Sequence, residues 1–303
     1  MFDSCYKLPT VQIQKLIDKM DPSNCENLGS MFNACYKLTE LDLSKWKDKV
    51  SNVKDISGMF EYCGSLTRVN LTKLDLNNII EIASIFANCR FLKSIDLSTI
   101  KTPNITRGCD YLFFQCEKIE VVDISYIDST KSESTTKIFE NCYNLKYIII
   151  AATSFKFVLK SSQNLPATCK ILVPSALIPT YKAAQYWSEH ASKFEPIENY
   201  TIIRPGDGTV SVKKKMKGTI TFNIIFNYTH FDIDVDMNGT LTEPLSPKIP
   251  NRPTYKFKNW STESNSGGIT YTTQQLETPG FFTTTPNPTM VLYDNWEKIP
   301  PHP

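Results

Sequence analysis

The chain has 303 residues, enough for two domains, and its 41% hydrophobic content can bury sizeable cores. A formal net charge of +2, from 33 basic and 31 acidic residues, provides no global field for nucleic acid or an anionic membrane. No apolar run reaches the roughly 18 residues of a membrane span, and no basic segment followed by a hydrophobic stretch opens the chain.

Residues 1–150 repeat. Phe2-x-x-Cys5, Phe32-x-x-Cys35, Phe60-x-x-Cys63, Phe86-x-x-Cys89, Phe113-x-x-Cys116 and Phe139-x-x-Cys142 place successive cysteines 30, 28, 26, 27 and 26 residues apart. An aliphatic residue follows each cysteine by three positions, as Leu8, Leu38, Leu66, Leu92, Ile119 and Leu145. An apolar-x-apolar triplet comes next: Val11/Ile13, Leu41/Leu43, Val69/Leu71, Ile95/Leu97, Val122/Ile124 and Ile148/Ile150. A short alternating strand in each repeat, with a helix or turn between, cannot bury its apolar face alone. The spacing therefore predicts six stacked coils, a solenoid with a parallel sheet. Eight of the nine cysteines stand on apolar positions of this register, where a thiol behaves as a small buried hydrophobe. Their odd number and the lack of a Cys-x-x-Cys pair weigh against disulfide or metal frameworks.

Two stretches carry a family likeness: Phe60-Glu61-Tyr62-Cys63-Gly64-Ser65-Leu66-Thr67, and Leu41-Asp42-Leu43-Ser44 running on to Val53-Lys54-Asp55-Ile56-Ser57-Gly58-Met59-Phe60. They resemble the BspA-like leucine-rich repeats of bacterial surface proteins, over about residues 1–150. The resemblance implies an α/β leucine-rich-repeat solenoid used for adhesion, and it implies no catalysis.

Residues 151–199 break the period. Cys169–Pro174 reads as a last strand, and Ser175 to Phe194 reads as a helical C-terminal cap, with Tyr181, Ala184 and Trp187 at helical spacing. Met1-Phe2 begins inside a repeat, so the first coil is expected to be uncapped, leaving apolar surface for a neighbouring subunit or for a preceding part of a longer protein.

From about Tyr200 the composition shifts toward Thr, Asn and Pro, with alternating strands at 219–225 and 231–235 and turn signals at Pro205-Gly206-Asp207-Gly208 and Asn238-Gly239. Lys213-Lys214-Lys215 with Lys217 reads as a solvated basic run between strands. From Phe231 through Asn238-Gly239, Pro250-x-x-Pro253, Tyr255-x-Phe257-x-x-Trp260 and Tyr271 to Leu292-Tyr293-x-x-Trp296, the chain resembles the Listeria–Bacteroides repeat known from internalin B-repeats. That resemblance, over about residues 228–298, implies a small β-rich, β-grasp-like module serving as a stalk or interaction unit. Thr240 replaces its usual second turn glycine.

Asp234-x-Asp236-x-Asn238-Gly239 matches half of an EF-hand calcium loop, but Leu245 stands at the twelfth position, where a bidentate carboxylate is needed. An alternating strand with wet-face aspartates is the simpler reading. His190, His230 and His302 belong to no hydrolase or metalloprotease motif, and no phosphate-binding glycine loop is present, so neither an enzyme nor a cofactor is expected.

The candidate binding face lies between the inward apolar positions of the sheet, on the concave side. Its residues are Glu40, Asp42, Ser44, Arg68, Asn70, Asp96, Asp123 and Tyr147. They form either a hydrophilic ladder that keeps the sheet soluble or a polar docking strip. The expected function is adhesion to a protein or glycan outside the cell, on a bacterial surface or in a phage tail or fibre. A structural assembly subunit and the targeting module of a larger enzyme are the alternatives. No nucleic-acid partner is expected.

Overall fold

The computed structural model describes residues 2–224, 229–236, 240–245, 248–249, 255–262, 268–278, 281–282 and 290–298. They form two compact units, Met1–Glu198 with Ile202–Val212, and Asn199–Thr201 with Lys213–Pro303.

In the first unit each apolar triplet from the second repeat onward contributes a three-residue strand. These are β1 (Glu40–Asp42), β2 (Arg68–Asn70), β3 (Ser94–Asp96), β4 (Val121–Asp123) and β5 (Tyr147–Ile149), continued by β6 (Lys170–Val173) and β7 (Phe194–Pro196). All neighbours are parallel and in register: Leu41 lies beside Val69, and Ile95, Val122, Ile148, Ile171 and Phe194 form a row. A second row of single parallel bridges joins Asn27, Asp55, Glu81, Gly108 and Ser134. Each repeat thus satisfies its backbone polar groups through its neighbours, as Phe32 N–H does on Met59 O and Phe60 N–H on Ile85 O.

The six repeat phenylalanines are buried and stack almost face to face, with centroid spacings of 5.6, 5.3, 5.6, 5.8 and 5.9 Å from Phe2 to Phe139. The cysteines build a second ladder alongside. Each Sγ–H donates to the phenylalanine carbonyl of the preceding repeat: Cys35 to Phe2, Cys63 to Phe32, Cys89 to Phe60, Cys116 to Phe86 and Cys142 to Phe113, at 3.0–3.1 Å. All nine thiols are free.

The expected fold class, an α/β leucine-rich-repeat solenoid with a helical C-terminal cap and a β-grasp-like module, is corrected. The described residues are mostly β, in parallel and mixed sheets, with three short α-helices: α1 (Thr10–Ile17), α2 (Ile178–Ala183) and α3 (Thr273–Glu277). The reason is local. Every full repeat holds two residues in the left-handed region. One lies two before the Phe, at Ser30, Gly58, Ser84, Tyr111 and Lys137; the other lies one before the Cys, at Ala34, Tyr62, Asn88, Gln115 and Asn141. Left-handed residues cannot continue a right-handed helix, so the connections are successive tight turns. Among the described residues no helix is long and apolar enough to cross a membrane.

Val11/Ile13 is also not a strand. Those residues lie in α1, which buries Ile13 and Ile17 at i,i+4 spacing and leaves Val11 63% exposed. As the first repeat's counterpart of a strand, α1 lies along β1. The Gln14 amide imitates a neighbouring strand, donating to Asp42 O and accepting from Asp42 N–H, both at 2.9 Å. Thr10 Oγ1 likewise accepts from Thr39 N–H at 2.8 Å. These side chains occupy the edge that β1 would otherwise leave open.

The far end closes with aromatics. Trp187 and Tyr181 are fully buried with Phe157, Phe194 packs against them, and Trp187 Nε1–H donates to Phe157 O at 2.8 Å. The expected helix over Ser175–Phe194 is broken into α2 and flanking 3-10 turns. His190 is buried there, and burial, then Lys193, holds its imidazole below its usual 6.5. A base whose folded pKa is depressed contributes stability that is complete above the unfolded pKa and is lost as pH falls through the folded one. The melting temperature of the first unit should therefore fall as the pH drops below the ordinary imidazole value of 6.5. His190→Leu should flatten that slope in thermal melts.

In the second unit β9 (Ser211–Ile224), β10 (Thr229–Asp236), β11 (Tyr255–Ser261), β12 (Thr270–Tyr271) and β13 (Met290–Lys298) follow β8 (Tyr200–Ile203) in the chain. The spatial order is β10-β9-β13-β11-β12, with β9 and β13 parallel and the other pairs antiparallel. Trp260 is buried edge-on to Phe222 at 4.8 Å, and Phe257 packs on Trp296 at 5.4 Å, so these aromatics serve the core. The lysine run 213–215 lies within β9 rather than between strands. Asp232 and Asp234 are exposed between buried Ile233 and Val235, as an alternating strand requires. The Asn238-Gly239 turn, Pro250, Pro253, His302 and the Lys217 side chain lie outside the described residues.

Candidate functional site

The sheet face of the first unit is built by one device used four times. After each strand's central apolar residue comes Asp or Asn, whose Oδ1 accepts the N–H of the Ser or Thr two residues on. The pairs are Asp42/Ser44, Asn70/Thr72, Asp96/Ser98 and Asp123/Ser125, at 2.8–3.1 Å. These Asx turns end the strand, fix the side-chain rotamer and leave a second polar atom for other contacts, Oδ2 in the three aspartates and the Nδ2 amide in Asn70. Neighbouring repeats bring those groups into a row.

Most of that row is already occupied by the chain itself. Ile202–Val212 belongs to the first unit and lies across the face as a strap. Arg204 directs its guanidinium at Asp123 Oδ2, with Nε 2.8 Å away and Nη2 also bonded, and its Nε lies 3.8 Å from Asp96 Oδ1. The Asp123 side chain has no exposure and that of Asp96 has 2%, so both are sealed beneath the strap. Burial pushes the Asp123 carboxyl above its ordinary range, against the opposing hydrogen bond from Ser125 and the charge of Arg204.

The tip of the strap enters the sheet. Asn70 Nδ2 donates to Gly206 O at 3.3 Å, Asp96 N–H donates to Gly208 O at 2.9 Å, and Val210 N–H donates to Ser94 Oγ at 3.3 Å. The β ladder is interrupted between β2 and β3, and Gly208 contacts both. A Cβ on Gly208 would stand 1.9 Å from Val69 O, and its φ of 91° is itself a glycine conformation. Asp207 reaches Arg68 at 3.4 Å, and its carboxyl is held below the usual range, first by the Thr209 hydroxyl.

The eight face residues of the sequence reading therefore divide. Asp96, Asp123 and Asn70 are buried. Tyr147 is half-buried, its phenol pushed up by burial and then by Glu195. Arg68 is shared between Glu40 at 2.6 Å and Asp207. Glu40, Asp42 and Ser44 remain on an open cleft of about 460 Å³, walled on one side by Val11, Gln14 and Lys15 of α1 and floored by β1 and β2. Lys45 closes one corner on Asp18 at 2.5 Å. That hydrogen bond is the first cause holding the Asp18 carboxyl below its ordinary value.

The buried thiols are unsuited to nucleophilic chemistry. Burial pushes Cys35 up to about 11 and Cys109, Cys142 and Cys169 up to about 12, whereas a reactive thiol needs its pKa lowered.

Stacked repeats with phenylalanine and cysteine ladders inside and an Asx-turn row outside define a repeat protein that presents an open polar cleft beside its first strand. The chain belongs to the family described as Mycoplasma protein of unknown function, DUF285, whose model matches residues 1–97 and 65–163, together more than half of the 303 residues. This is a BspA-like Mycoplasma repeat family. No curated protein matches the chain.

Proposed function

We propose that the chain is a non-enzymatic recognition protein acting outside the cell, and that it takes a protein or glycan partner in the cleft between α1 and β1–β2. The observation that carries this reading is the division of the sheet face. The polar row is filled by Arg204 and the 206–210 turn over β2–β4, whereas at β1 the same row opens into a cleft large enough for several side chains. Membership of a bacterial repeat family favours a bacterial surface over a virion as the setting. The second unit, through its resemblance to internalin B-repeats, is read as a spacer or second contact.

Val11→Trp fills the cleft from the solvent side of α1 without touching the core. The purified chain, screened against a displayed peptide library and a glycan array, should retain ligands that Val11→Trp binds at least about tenfold more weakly at an unchanged melting temperature. Equal retention by Val11→Trp would contradict the reading.

A further inference from the structure

The strap is a built-in example of what this face binds. We infer that the open cleft reads an arginine side chain presented by a partner polypeptide, with Asp42 receiving it as Asp123 receives Arg204; this rests on the recognition reading above.

Three observations carry the inference. First, Asp42 and Asp123 are the same position of the repeat, in Leu41-Asp42-Leu43-Ser44 and Val122-Asp123-Ile124-Ser125, and both spend Oδ1 on the N–H of the following serine. That turn leaves Oδ2 directed along the face. At Asp123 this oxygen takes two guanidinium N–H groups, while at Asp42 it has no partner among the described residues.

Second, the other charges of the cleft are mostly committed. Lys45 is held by Asp18, and Arg68 by Glu40 and Asp207. Of the three carboxylates lining the cleft, Asp42 is the one in no ion pair among the described residues. A guanidinium entering there restores the pairing found two and three strands further along the sheet.

Third, the neighbouring rung sets how strong the contact can be. Arg204 bridges Asp123 and, more distantly, Asp96, one strand away. In the cleft the rung next to Asp42 is Asn70, in direct register with it; its side-chain carbonyl is already taken by the Thr72 N–H and hydroxyl, so Asp42 receives the guanidinium without a second acid. A planar fork that makes two bonds to one oxygen suits guanidinium and not ammonium, so lysine is the weaker ligand. Because Asp42 is exposed, a lone arginine contact gives weak binding, and the affinity of a natural partner must come from the rest of the cleft.

The probe is the blocked peptide acetyl-Ile-Arg-Pro-Gly-amide, with versions carrying citrulline or lysine in place of arginine. Each is titrated into the full chain while the Ser44 backbone amide and the Gln14 side-chain amide are followed by NMR. The arginine peptide should shift both signals. The citrulline peptide should bind about tenfold more weakly or not at all, lysine should fall between, and Asp42→Asn should remove the preference for arginine. Equal response to arginine and citrulline, or no response to either, overturns the arginine assignment. The citrulline comparison needs no variant, so it stands even if Asp42→Asn misfolds. The recognition reading itself is tested separately by Val11→Trp, whose outcome does not depend on which side chain the cleft prefers.

Discussion

Replacing Phe60 by alanine is expected to lower the melting temperature of the first unit by about 10 °C, an effect it should share with the other interior rungs of the ladder. Phe60 is fully buried between Phe32 at 5.3 Å and Phe86 at 5.6 Å, with both rings nearly parallel to it. Removing a buried aromatic costs about 3–5 kcal/mol through lost transfer energy and the cavity left behind. Here the cavity cannot collapse easily, because the neighbouring rings are held at fixed spacing by the inter-repeat backbone bonds. Stability in a stack of repeats is close to a sum of nearest-neighbour terms. Phe2, which has one ring neighbour among the described residues, should therefore cost roughly half as much. Urea unfolding of Phe60→Ala and Phe2→Ala, followed by a probe in the first unit, checks both the size and the order. A Phe2→Ala loss as large as that of Phe60→Ala would contradict the ladder as the main cohesive element.

Gly208→Ala should have the second large effect. A methyl group 1.9 Å from the Val69 carbonyl cannot be accommodated by a side-chain adjustment, since the obstacle is backbone. The strap must lift, and with it Arg204 leaves the buried Asp123. Breaking a buried ion pair costs about 3–5 kcal/mol. The lower end applies, about 3 kcal/mol, because Arg204 is 31% exposed and a lifted strap lets water reach the orphaned carboxylate. Chemical denaturation measures the loss, and amide exchange at Asp96, whose N–H donates to Gly208 O, should accelerate in the variant.

How far these features could be read from sequence depends on their range. The Phe-x-x-Cys-x-x-Leu period was visible because every repeat spends the same side chains on the same contacts, and the packing role assigned to the cysteines rests on that register. Their additional bond to the preceding phenylalanine carbonyl has no sequence signal of its own. The helix or turn between strands stayed open for a specific reason. The two left-handed positions per repeat are filled mainly by Ser, Ala, Tyr, Asn, Gln and Lys, with glycine only at Gly58, so the usual turn residue is missing. In Thr10–Ile17 a period of two through Val11 and Ile13 coexists with i,i+4 spacing of Ile13 and Ile17. The second pattern won because Gln14 can satisfy the β1 edge from a helix.

The face was legible as a row of polar residues but not as a partly covered one. Pro205-Gly206-Asp207-Gly208 was recognised as a turn, yet Arg204 meets Asp123 across 81 positions. No local spacing reports a contact of that range, and only the fold shows that the turn fills the Asp row. The aspartates that seemed equivalent as ligands are therefore divided between structural and available ones by a segment whose own pattern announced only a loop.

Carboxylate footprinting tests that division most directly. The native chain is treated with a water-soluble carbodiimide and glycine ethyl ester, and labelling is located by mass spectrometry. Asp42 should label readily while Asp96 and Asp123 stay silent, and Gly208→Ala should expose both. Labelling of Asp96 and Asp123 in the native chain as fast as Asp42 would mean that the strap does not cover the face, and would contradict the account.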